Sequence, residues 1–227
     1  MMYWVLFIGI ALASYVVQAS LKSKFAKYSK IPLDNGMTGR EVAEKMLHDS
    51  GINDVTVNST NGTLTDFYNP ANKTVNLSEE VYGSCSVAAA AVAAHECGHA
   101  VQHAHAYAPL ALRSKLVPVV NFASQWVMWL ILGGMLMMRT SMGSNLMIVG
   151  IVLFAVTTLF SFITLPVEIN ASKRALVWLS GAGITNSYNH AKAEDALRSA
   201  AYTYVVAALG SLATLVYYIM IFNNRRS

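Results

Sequence analysis

Between Leu116 and Val167 the chain carries a single charged residue, Arg139. A helix needs about 20 mostly apolar residues to cross a bilayer, and four stretches meet that requirement: 1–20, 116–138, 146–167 and 200–222. The linker 139–145 is short and contains Gly143, so the second and third stretches are predicted to form a helical hairpin. The first stretch has its positive charges after the apolar run (Lys22, Lys24, Lys27, Lys30) and not before it. That order suits an uncleaved anchor and not a cleaved secretory signal.

Composition agrees. Of 227 residues, 55% are hydrophobic and only 12% charged, about half the charged share of a soluble domain. This excludes an ordinary soluble enzyme and a disordered chain, and two cysteines cannot staple a fold of this length. The net charge of +4 does not point to nucleic acid. Residues 21–115 carry nine basic and nine acidic side chains, and the basic excess flanks the apolar runs. Ten Lys and Arg residues lie beside the spans in the polar segments 21–115 (Lys22, Lys24, Lys27, Lys30, Arg113, Lys115) and 168–199 (Lys173, Arg174, Lys192, Arg198), against Arg139, Arg225 and Arg226 on the other side. The positive-inside rule then predicts an outside N-terminus and a cytoplasmic location for both polar segments in the cell membrane. The Arg225–Arg226 pair runs against that trend.

Segment 21–115 reads as a small folded domain. Thr38 and Glu41 have capping-box spacing ahead of Val42, Met46 and Leu47, and Gly51 is placed to end that helix. Val55–Val57, Leu64–Tyr68 and Thr74–Leu77 are short β-prone runs separated by Asn-Gly and Asn-Pro, predicted as a small antiparallel sheet. Thr74–Leu77 could also form an edge strand able to hold an extended peptide. Residues 86–107 are alanine-rich and predicted helical up to Pro109. Segment 168–199 is expected to continue the third span as a helix to about Gly181, kinked near Pro166, before an amphipathic lead-in to the fourth span.

Within the alanine-rich helix, His95-Glu96-Cys97-Gly98-His99 has the pattern H-E-x-x-H. Positions i and i+4 share a helix face, so both imidazoles can reach one zinc ion. The glutamate beside them can take a proton from activated water. Catalytic zinc sites use three protein ligands and leave a fourth position open. His103, His105 and Glu168 are the candidates for the third. His105 has the metzincin spacing, but Gln102 stands where that pattern needs the glycine of its turn. His103 lies nearer the ligand face, two turns from His95, and suits water, substrate or a carboxylate. Glu168 is the only acidic residue between Glu96 and Glu194. The hairpin returns the chain to the side of the histidines just before it, and a carboxylate next to an apolar run needs a partner or water, so a metal ligand and a solvated helix-start carboxylate both fit that position. Cys97 points off the ligand face, and Cys85 is too far along the helix for a disulfide. Both are expected to be reduced, buried thiols.

Four blocks extend the pattern: Val92–Ala104 (V-A-A-H-E-C-G-H-A-V-Q-H-A), Thr65–Pro70 (T-D-F-Y-N-P), Tyr107–Ser114 (Y-A-P-L-A-L-R-S) and Leu165–Ala175 (L-P-V-E-I-N-A-S-K-R-A). With these in order, nearly the whole chain resembles the bacterial YugP-type membrane zinc metallopeptidases and is more distantly similar to the HtpX-type proteases. The resemblance implies a neutral zinc peptidase of the glutamate-ligand (gluzincin) class and a role in protein quality control. It also favours Glu168 as the third ligand. The distant group has an aspartate four residues after that glutamate. This chain has Ser172 there, with Asn170 nearby, which leaves open what orients the ligand histidines.

The expectation is therefore a mainly α membrane protein with four spans and a small α+β zincin-like domain. It binds Zn²⁺ through His95, His99 and Glu168 and hydrolyses membrane or misfolded polypeptides, with Glu96 as general base. His190, Tyr202 and Tyr204, which follow the third ligand and could face the site, are candidates to stabilise the oxyanion or contact substrate. The alternatives are an intramembrane or interfacial protease, a zinc-stabilised scaffold, and a transporter. The polar 95–105 stretch counts against the first, the intact Glu96 against the second, and the absence of charge pairs in the spans against the third.

Overall fold

Each apolar run becomes part of a helix longer than the run itself, because the flanking residues have good helix propensity, and the helices continue through Pro118 and Pro166. A computed structural model describes residues 2–137 and 139–224. Met1, Met138 and residues 225–227, assigned above to the first span, the second span and the tail, lie outside the described residues. In chain order the elements are α1 (Met2–Tyr28), α2 (Gly39–Asp49), β1 (Thr56–Thr60), β2 (Phe67–Asn69), β3 (Thr74–Ser78), α3 (Glu79–Tyr82), α4 (Val87–Ala104), α5 (Ala108–Leu136), α6 (Ser141–Gly181) and α7 (His190–Asn224). The protein is mainly helical, and α1, α5, α6 and α7 are long and apolar enough to cross a membrane. The chain divides into two compact units. One contains residues 1–15, 111–165 and 204–227; the other contains residues 16–110 and 166–203.

In the first unit α5 and α6 meet through small residues. A Cβ on Gly134 would come within 2.7 Å of the Met147 backbone nitrogen, and one on Gly150 within 2.8 Å of Ile131 Cγ1. Ala123, Val127, Ile131 and Met147 fill the seam. Close approach through small residues is how apolar helices associate in a medium that gives them no hydrophobic drive.

The second unit holds the sheet. Thr38 caps α2 as expected: its hydroxyl accepts from Glu41 N at 3.2 Å, and its own N–H donates to Glu41 Oε2 at 2.7 Å. The sheet order is β1-β3-β2, with β2 antiparallel to β3 but β1 parallel to it. This corrects the all-antiparallel expectation. The Asn-Pro signal does make a tight reversal between β2 and β3. The Asn-Gly signal does not: Gly62 and Leu64 take positive φ in a loop that carries the chain past the place β3 later fills. Asp66 ties that loop down by accepting from Ser78 N at 2.8 Å and Ser78 Oγ at 3.1 Å. Val75 and Leu77 are fully buried, so β3 takes the centre, where neighbours cover it on both sides. It is not the edge strand considered above.

Ser86 caps α4 by accepting from Ala89 N, and the alanine face of α4 packs into a core with Val42, Met46, Val75 and Leu77. α6 presents Val167, Ala171, Ala175 and Leu179, all fully buried, at the i, i+4 spacing of one helix face. Opposite this stripe sits Gly98, where a Cβ would lie 2.6 Å from the Ala171 carbonyl oxygen. Both glycine seams can be tested by thermal unfolding in detergent. Gly134→Leu and Gly98→Ala each force backbone apart, and each is expected to destabilise the protein by about 1–3 kcal/mol. An unchanged midpoint for either would show that the corresponding helices do not meet at that glycine.

Candidate metal centre

α4 brings His95 and His99 to one face a turn apart, with their rings edge to face at 4.8 Å between centroids. The Val167–Leu179 stripe on α6 places Glu168 beside them. His95 Nε2 lies 3.3 Å and His99 Nε2 3.5 Å from the same carboxylate oxygen, Glu168 Oε2. One ligand atom from each residue falls within 4.8 Å of the other two, and this is the only such trio among the described residues. His99 and Glu168 are buried, His95 nearly so.

The rings are held from behind. His95 Nδ1 is 3.0 Å from Ser172 Oγ, and His99 Nδ1 is 3.0 Å from Gln102 Oε1. With the Nδ1 hydrogens donated to these oxygens, two Nε2 lone pairs and a carboxylate oxygen converge on one point. Three acceptors do not gather in a buried site without a cation or a proton between them. Donors about 2.0–2.1 Å from a tetrahedral zinc stand about 3.3–3.4 Å apart, and two imidazoles with one carboxylate suit that ion. The cluster therefore fits zinc, with a fourth position left for water or substrate.

Glu96 is buried on α4 next to this face. Burial pushes its carboxyl above the ordinary carboxylate range, and His95 and His99 offset part of the rise. Burial is the largest single influence on His99 and works against a charged ring, but Glu168, Glu96 and Gln102 together outweigh it and raise the pKa. Cys97 is fully buried, its thiol pushed up by desolvation, and donates to Ala43 O at 3.5 Å. It is free, as is Cys85, which is only half-buried and not buried as expected.

The other candidates separate clearly. Ser172 touches His95 directly. Asn170 reaches His99 through Gln102, whose Nε2 donates to Asn170 Oδ1 at 3.0 Å and to the Val167 carbonyl at 2.8 Å. His103 is exposed and pairs through Nδ1 with Tyr68 Oη at 2.8 Å. His105 caps its own helix, with Nδ1 2.8 Å from Val101 O, and is not in the trio. His190 pairs with Thr185 Oγ1 at 2.9 Å near the start of α7, and Tyr202 is half exposed. Gln102 was read only as a residue in the place of a glycine. Its complete burial and its position three residues after His99 mark it as part of the site. The i, i+3 spacing was the available signal.

Comparison with known proteins also points to a zinc peptidase family. The family described as "Putative neutral zinc metallopeptidase" matches residues 3–223. The "Putative membrane protease YugP" of Bacillus subtilis (strain 168) is 46% identical over 226 residues, covering 97% of this chain and 98% of that protein. No solved structure matches the chain. A match across nearly the whole length, around a buried His-His-Glu cluster that can hold a metal, makes the chain a member of this neutral zinc metallopeptidase family.

Proposed function

We propose that the protein is a membrane-bound zinc endopeptidase of gluzincin type. In this reading His95, His99 and Glu168 hold the ion. The convergence of their three acceptor atoms, with both Nδ1 atoms already engaged, is the observation that carries it. Zinc held there supplies a Lewis acid that polarises water and the scissile carbonyl. Glu96 removes a proton from the water during attack and returns it to the leaving amine. Its burial suits that role, because a carboxylate with raised pKa is a stronger base than one in water. His103, further along the ligand side of α4, and its partner Tyr68 on β2 are placed to contact the polypeptide.

The membrane assignment follows from the four long apolar helices. The lysines after the first span and the basic residues of 168–199 support a cytoplasmic catalytic segment with the N-terminus outside. Segments 21–115 and 168–199 then form the zincin-like catalytic domain, and 116–167 is the membrane hairpin between them. An unfolded stretch of a membrane or misfolded protein, presented at that face, is the proposed substrate.

Bound zinc and cleavage of an unfolded test protein are to be measured on detergent-purified enzyme. Glu96→Gln is expected to keep zinc and lose about 10²–10⁴-fold in kcat, while Glu168→Ala is expected to lose zinc. Unchanged cleavage by Glu96→Gln would sink the mechanism, and full zinc occupancy in Glu168→Ala would remove the third ligand. For the orientation, an N-terminal epitope is expected to be reached from outside intact cells. Labelling only after the membrane is opened would reverse the assignment.

A further inference from the structure

The hydrogen bonds behind His99 form a chain in which each link fixes the polarity of the next. Arg174 Nε can only donate, and it lies 2.8 Å from Asn170 Oδ1. That fixes the Asn170 amide with its oxygen toward this cluster. The same oxygen is 3.0 Å from Gln102 Nε2. The Val167 carbonyl, which can only accept, is 2.8 Å from that nitrogen. Two acceptors on one side leave Gln102 a single amide orientation, with NH₂ toward α6 and Oε1 toward His99. Oε1 is 3.0 Å from His99 Nδ1, so Nδ1 must carry the hydrogen, and Nε2, which faces Glu168, is the ring nitrogen left for a metal.

We propose that Arg174, Asn170 and Gln102 form a positioning relay that holds His99 in the Nδ1–H tautomer and so presents Nε2 as a metal ligand. The proposal rests on the metal-centre reading above and assigns it residues that touch neither metal nor substrate. The relay is also a register device. Gln102 sits on α4, while Val167 and Asn170 flank Glu168 on α6. The amide that sets the tautomer of one ligand therefore also bonds on either side of another. Its ends are chemically suited to this. An amide oxygen, like the carboxylates and carbonyls that commonly stand behind metal-ligating histidines, accepts the hydrogen bond and leaves the proton on the ring. Gln102 is completely buried, so water cannot replace either half of its bonding.

Two readouts on the full-length protein in detergent test this. One is zinc affinity by competition with a chelator. The other is the tautomer of His99 in zinc-free protein, read from the nitrogen chemical shifts of ¹⁵N-histidine. Gln102→Leu removes the acceptor and is expected to weaken zinc about 10–100-fold and to abolish the Nδ1–H preference. Asn170→Leu should move both readouts the same way. Asn170→Asp still accepts from Arg174 and Gln102 and should keep both readouts close to wild type. Were Gln102→Leu and Asn170→Leu to lower thermal stability but leave affinity and tautomer unchanged, the residues would be tethers and the relay would be overturned. Equal losses in Asn170→Asp and Asn170→Leu would overturn it as well. Failure of the wild type to bind zinc, with His99 still an Nδ1–H tautomer, would overturn the metal-centre reading and leave the tautomer assignment standing.

Discussion

The close approach of α4 and α6 is the contact on which the rest of the site depends. Gly98 stands inside the H-E-x-x-H turn, and the Ala171 carbonyl lies where its side chain would be. Only hydrogen fits there. The result is that Glu168, one turn before Ser172 on α6, reaches two imidazoles that a bulkier seam would keep out of range. Small residues recur down α6 at Ala171 and Ala175 for the same reason. The metal-ligand geometry is thus set by backbone separation first and by side-chain reach second.

The polar groups behind the ligands follow the same logic. Ser172 lies one turn beyond Glu168 and so arrives behind His95, while Gln102 reaches back from α4 to α6. Neither is a carboxylate. Within the His95, His99 and Glu168 cluster that could hold a metal, only Glu168 is an acid, and Glu96 stands next to it as a second buried one. A site with few formal negative charges neutralises a dication less completely, which keeps the ion a stronger Lewis acid. The raised pKa of Glu96 comes from the same dry environment. Burial therefore serves both partners in the proposed hydrolysis.

Local signals in the chain were read correctly where they were self-contained. The capping box at Thr38 and Glu41, the helix from Ser86, and the i, i+4 histidine pair each need only a few neighbouring residues. Glu168 was legible for a different reason, since two spans joined by a short linker must bring the chain back to its starting side. Strand order was not legible. Alternation and turn residues identify the strands but do not say which neighbour each one pairs with, and the Asn-Gly at 61–62 looked like a hairpin turn. Gln102 was missed because its partners, Val167 and Asn170, are 65 and 68 residues away.

What the sequence alone determined is the membrane character, the helical framework and the placing of His95, Glu96 and His99 within one helix. These depend on hydrophobic length and on spacing within one helix, and both are written locally. Tertiary structure decided the rest. It put β3 at the centre of the sheet, gave His103 to Tyr68 and His105 to its own helix end, and placed Ser172 and Gln102 behind the ligands. Each of these depends on which surfaces meet when α4, α6 and the sheet bury their apolar faces together. That is a property of packing across distant segments, which no single stretch of residues encodes.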